Sequence, residues 1–149
     1  MITIVGAWEL GWNAPIKEVE QWELVLREFN VTDLWMWPIT GIHVHEQSVN
    51  LHERQTLTEI LAEVTGPRVF VEPRNPTFPQ TLDSEWLHDF AHPDDAVYIF
   101  GSAYHNPVVS HWREGDLRVT IKTERDDGVL WPHQVLLALL YDRMVKSWP

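Results

Sequence analysis

The 149-residue chain predicts an α/β fold, a mostly parallel sheet with helices on both faces. Three observations carry this reading. Runs of strand-like composition alternate with segments of helical apolar spacing, the pattern of parallel strands joined by crossover helices. Val97–Gly101 is a continuous apolar run closed by glycine, as expected of a strand covered on both faces. Leu130–Arg143, LWPHQVLLALLYDR, has almost no polar face between Val135 and Tyr141, so its helix must be enclosed by its own sheet, by a partner subunit, or by both. With no repeat, low-complexity run or linker, residues 1–149 read as one domain long enough to bury a core.

Taken in order, Ile2–Trp8 is a strand. Asn13 can cap a helix whose first turn holds Pro15, and Ile16, Val19, Trp22 or Glu23, Leu26 and Phe29 keep helical spacing along it. Val31–Trp37 is a second strand, stopped by Pro38, and a loop with His43 and His45 follows. Leu51–Val64 is expected to be helical, with Leu57, Ile60, Leu61 and Val64 on one face and Gly66-Pro67 as its terminator. Arg68–Glu72 is a third strand, followed by a stiff loop with Pro73, Pro76 and Pro79. Asp83 or Ser84 caps a short helix to about Ala91. The strands Val97–Gly101 and Leu117–Lys122, an acidic turn and the final helix complete the order. In open sheets of this kind ligands bind beyond the carboxyl ends of the strands, here Trp8-Glu9, Trp37-Pro38, Glu72-Pro73, Gly101-Ser102 and Lys122-Thr123.

Composition narrows the chemistry. Eleven Lys and Arg against 22 Asp and Glu give a net charge of −11, so nucleic acid is repelled on average and any RNA contact needs a local basic patch. Arg68, Arg74, Arg113, Arg118, Lys122 and Arg125 are the candidates for it, several of them near strand ends. No cysteine is present, which excludes disulfides, thiolate ligands and thiol nucleophiles and fits a cytoplasmic protein. There is no long apolar run for a membrane span and no signal-peptide pattern at the start. The nine tryptophans suit core and interface packing, with base stacking as the sharper alternative.

Phosphate loops, a GxGxxG turn and a GxSxG elbow are all missing. His43, His45 and His52 can be arranged as metal ligands, and His88 and His92 stand four apart, as on one helix face. Neither set has the glutamate placement of a helical HExxH, and solvated loop and helix-end histidines explain them as well, so no metal is expected.

Several segments together resemble the SPOUT class of RNA methyltransferases, nearest to the minimal tRNA ribose 2′-O-methyltransferases. Arg27–Trp37, REFNVTDLWMW, is similar to the family's first helix end and second strand. VYIFGS, Val97–Ser102, is similar to the strand and glycine loop that cradle the methyl donor. VTIKT, Val119–Thr123, takes the place of the strand ending in Ile-Pro, and Leu130, Leu140, Tyr141 and Asp142 match the closing helix in register. The resemblance covers most of the chain in element order. It implies a C-terminal trefoil knot, S-adenosyl-L-methionine held by Phe100, Gly101, Ser102, Ile121, Thr123 and Leu130, and a homodimer through the closing helix. Asn13, Arg27 and His133 are then the candidates to orient or deprotonate an RNA acceptor.

The departures from that pattern are specific. Leu24 falls where the family's catalytic arginine would stand, with Glu23 beside it. The glycine-rich loop lacks its glutamate, with Ala103 and Tyr104 after Ser102. Trp131 and His133 replace the asparagine and serine that open the last helix. Two further readings stand beside methyl transfer, therefore: a knotted ligand- or protein-binding protein without catalysis, and a metal-dependent hydrolase using His43, His45 and His52.

Overall fold

The computed structural model describes residues 1–8, 15–41, 49–102, 105–125 and 130–149. Its centre is a seven-stranded sheet, built from β1 (Thr3–Ala7), β2 (Asp33–Trp37), β3 (Asn50–Glu53), β4 (Arg68–Val71), β5 (Glu85–Trp86), β6 (Val97–Phe100) and β7 (Leu117–Thr120). The spatial order is β3-β2-β1-β6-β4-β7-β5, and every pairing is parallel.

Alternation along the strands sends side chains to two cores. Ile4, Tyr98 and Phe100 meet α1 (Pro15–Glu28) and α4 (Pro132–Lys146) through Val19, Trp22, Leu26, Leu136, Leu139 and Leu140. Val5, Ala7, Val97 and Ile99 meet α2 (Leu57–Glu63) and α3 (Pro107–His111) through Leu57, Ile60 and Val108. Helices therefore cover both faces, as the period-two pattern of the strands requires. Gly6 sits under Trp22, whose ring comes within 2.9 Å of the place a Cβ would take.

Two expectations need correction. Leu51–Val64 is not one helix. Residues Asn50–Glu53 pair with β2 at the sheet edge, Leu51 opposite Leu34, and the helix starts only after Thr56. There Thr56 Oγ1 accepts from the Glu59 amide while the Glu59 carboxylate accepts from the Thr56 amide, a capping box that sets the start point. The helix expected from Asp83 or Ser84 to Ala91 is replaced by a 3₁₀ turn at Pro79–Asp83, the short strand β5 and a second 3₁₀ turn at Leu87–Asp89. Pairing of Trp86 with Thr120 of β7, and the guanidinium of Arg74 bound to the Ser84 carbonyl and lying 3.7 Å over the Trp86 ring, hold this segment extended.

The final helix is expected to be enclosed by the sheet, by a partner or by both. Within one chain α4 is buried along a single stripe, Leu136, Leu139 and Leu140. Leu137 is 50% exposed and Tyr141 56%, with Val145 one turn further on. The chain's own elements thus enclose one stripe of the helix and leave Leu137, Tyr141 and Val145 exposed.

Candidate functional site

The carboxyl ends of β4, β6 and β7 lie side by side, and a cavity opens above them. Its floor is Val71, Phe100 and Thr120, its sides are Glu72, Pro73, Gly101, Ile121 and Thr123, and the start of α4 closes it with Leu130, Pro132 and Val135. About 470 Å³ of non-atom space lies between these residues, part of it open to solvent. Phe100 is held from the core side by Trp22, the two rings edge to face with centroids 5.3 Å apart.

One ionisable side chain stands in this apolar wall. Glu72 is 5% exposed, and its Oε2 accepts from the Val108 amide at 3.2 Å. Its Oε1 is buried and has no hydrogen-bond partner among the described residues. Burial pushes the carboxyl up to about 7, against the opposing pull of the Val108 amide. The side chain occupies the space that Gly101 leaves open, since a Cβ there would lie 2.7 Å from Oε1 and 2.8 Å from Cγ. Gly101 and Glu72 are thus a fitted pair.

Of the residues singled out in the sequence, Phe100, Gly101, Ile121, Thr123 and Leu130 come together on the cavity. Ser102 is outside the lining and its hydroxyl is 2.9 Å from His105 Nδ1. His133, in the first turn of α4, is half-buried beside Pro132, and burial lowers its pKa. Its Nδ1 is buried without a partner among the described residues. Arg27 is exposed in the last turn of α1 and is not part of the cavity wall. Asn13, His43, His45 and Ala103 lie outside the described residues.

The remaining histidines are engaged elsewhere. His52 Nε2 is 2.7 Å from Asp33 Oδ1, and its ring stacks on Trp35 at 4.4 Å. His88 and His92 do not share a helix, because the 3₁₀ turn ends at Asp89. His92 is clamped between Tyr98 Oη at 2.7 Å and Asp142 Oδ2 at 2.8 Å, tying the segment before β6 to α4. Among the described residues no three acidic or histidine side chains form a metal-ligand set.

The basic residues divide. Arg68 is buried against Asp116 at 3.2 Å. Arg118 lies 4.2 Å over Trp112. Arg74 and Lys122 both face the Trp86 ring, at 3.7 and 5.6 Å, beside the cavity residues Pro73 and Ile121.

Glu72 is the residue that motif reading passed over. Its signal was present: an acidic residue at the carboxyl end of an apolar strand, followed by proline, at a position where such sheets bind ligands.

No family model matches the chain, and no curated protein matches it in sequence. Solved structures do match. One, described as giving insights into the 2-OH methylation of C/U34 on tRNA, is 12% identical with a TM-score of 0.69 over 99% of this chain and 92% of that one. The A. aeolicus TrmH/SpoU tRNA modifying enzyme is 12% identical with a TM-score of 0.72 over 98% of this chain and 77% of that one. This chain has the TrmH/SpoU fold. A third match is the AdoMet-bound rRNA methyltransferase from Sinorhizobium meliloti, 9% identical with a TM-score of 0.67 over 99% of this chain; the chain spans only 56% of that protein. Within the TrmH/SpoU fold this chain keeps a cavity at the carboxyl ends of the central strands. It places the apolar Leu24, 45% exposed, where the resemblance puts a catalytic arginine. The neighbouring Glu23 is buried, and burial followed by Glu20 raises its pKa.

Proposed function

We propose that the chain is an S-adenosyl-L-methionine-dependent methyltransferase acting on RNA, with the donor bound in the cavity above β4, β6 and β7. The cavity carries the proposal: an apolar slot at the ligand-binding end of a TrmH/SpoU-fold sheet, with glycine where the backbone must come close. The residues present fit a nucleoside donor. Val71, Phe100, Ile121 and Val135 supply apolar walls for a flat ring, and Glu72 and Thr120 supply polar atoms beside them. When bound, the donor supplies a methyl group on a sulfonium, an electrophile that needs no metal.

The chain's own task is then to bring up an acceptor and remove its proton. His133 is neutral near pH 7, because burial lowers its pKa, so it can accept that proton. Arg74 and Lys122, gathered on Trp86 next to the cavity rim, provide a local positive patch for phosphates on an otherwise acidic surface. Leu24 favours a second reading, a donor-binding protein without catalysis, since no guanidinium stands at that place. Transfer of a labelled methyl group from S-adenosylmethionine to bulk RNA separates the two. Incorporation above background supports the methyltransferase; saturable donor binding with no incorporation supports the second reading.

The exposed stripe of α4 belongs to the same proposal. Leu137, Tyr141 and Val145, spaced by four, with Trp131 at the helix start, form a face suited to a second copy of the chain. Sedimentation is expected to show a dimer, and a Leu137→Glu, Tyr141→Glu variant is expected to sediment as a folded monomer.

A further inference from the structure

We propose that Glu72 is the polar contact by which the cavity recognises its nucleoside ligand: Oε1 accepts a hydrogen bond from an amino or hydroxyl group of the ligand, and binding draws the carboxyl into its ionised form. The inference rests on the reading that the cavity binds S-adenosylmethionine, and it adds a recognition residue and a proton to that reading.

The geometry is that of a built contact. A carboxylate oxygen with several lone pairs is buried in a cavity wall and bonded to nothing described, a costly arrangement unless something completes it. The other oxygen is fixed by the Val108 amide, so the carboxyl cannot swing away to solvent. Gly101 is cut to fit it. Around it stand Gly101 and the His105 backbone from the β6 side and the Val108 amide from α3, while Thr120 of β7 and Val135 of α4 line the same cavity. Among these described groups His105 is the titratable one, and its Nδ1 is engaged with Ser102. Burial raises its ionisation to about 7, no described cation offsets that, and a ligand donor would pull it back.

Two consequences are measurable. The ionised carboxylate is the stronger acceptor, and near pH 6 it is only roughly a tenth of the population, so affinity should rise, by up to about tenfold, between pH 6 and pH 8. Binding near pH 7 should also release a fraction of a proton, visible as a heat that changes with the ionisation enthalpy of the buffer.

The test is calorimetric titration of the full chain with S-adenosylhomocysteine across this pH range in two buffers, for wild type and Glu72→Gln. Glutamine keeps the size of the side chain and its acceptor for Val108. The expected result is proton release and the rise in affinity with pH in wild type, with weaker, pH-independent and proton-neutral binding in the variant. The wild-type pH profile stands as a test even if the variant folds poorly. Binding by wild type that is flat with pH and proton-neutral, or a variant that titrates as wild type does, overturns the role of Glu72 and leaves the donor reading intact. No binding by wild type at any pH refutes the donor reading itself, and this inference with it.

Discussion

Trp22→Ala is expected to lower the unfolding free energy by about 3–5 kcal/mol, a large share of the ~5–15 kcal/mol of an ordinary domain. Trp22 is 0% exposed at the centre of the core between α1 and the sheet. The space it fills is bounded by backbone at Gly6 and by Phe100, so the cavity left behind can collapse only partly. The effect should reach the site. Phe100 both leans on Trp22 and forms the cavity floor, so ligand affinity should fall along with stability. Denaturant titration gives the first quantity, through a shifted midpoint at unchanged slope. A loss below about 1 kcal/mol would show that the two rings are not the support described.

The second large effect is a pH dependence of stability carried by Glu72. Its folded pKa, about 7, lies above the ordinary glutamate value of 4.5 in the unfolded chain. Between those values the folded protein binds more protons than the unfolded chain, so stability falls as pH rises from 4.5 to 7 and levels off above. The fall is on the order of 3 kcal/mol. Glu72→Gln removes this contribution, so the variant should gain stability relative to wild type on going from pH 5 to pH 8. Denaturant unfolding of both proteins at the two pH values checks it. A difference between them that does not change with pH would mean that Glu72 is ionised at little cost, and that water or an undescribed residue reaches Oε1.

The elements legible in the sequence are those whose burial follows from their own pattern. β1, β2, β4 and β6 carry apolar residues to both faces, β7 carries Leu117 and Val119 to one, and α1 and α4 keep helical spacing, so periodicity alone locates them. The failures are edge elements. Asn50–Glu53 and Glu85–Trp86 become strands because a neighbour offers a free row of backbone groups, a tertiary fact that leaves little trace in four or two residues. Leu57 and Ile60 do mark a helical face, but Thr56 and Glu59 mark its start more sharply, and the capping box was readable there. Asn106-Pro107 likewise announces the short α3 that went unplaced.

The site divides in the same manner. Phe100, Gly101, Ile121, Thr123 and Leu130 could be named through the family resemblance, and the strand-end rule pointed to Gly101 and Thr123 as well. Glu72 could not be ranked above the other 21 acidic residues without its burial, its unpaired oxygen and the missing Cβ across from it. Arg27, a candidate to orient an acceptor, is exposed at the far end of α1, and Leu24 is partly exposed where the resemblance puts a catalytic arginine.

The most direct test is a crystal structure grown with S-adenosylhomocysteine. The ligand is expected in the cavity between Gly101, Ile121 and Leu130, its ring against Phe100 or Val135 and a donor atom within hydrogen-bond distance of Glu72 Oε1. A ligand bound elsewhere on the chain, or an empty cavity in crystals soaked to saturation, would contradict the assignment of this site.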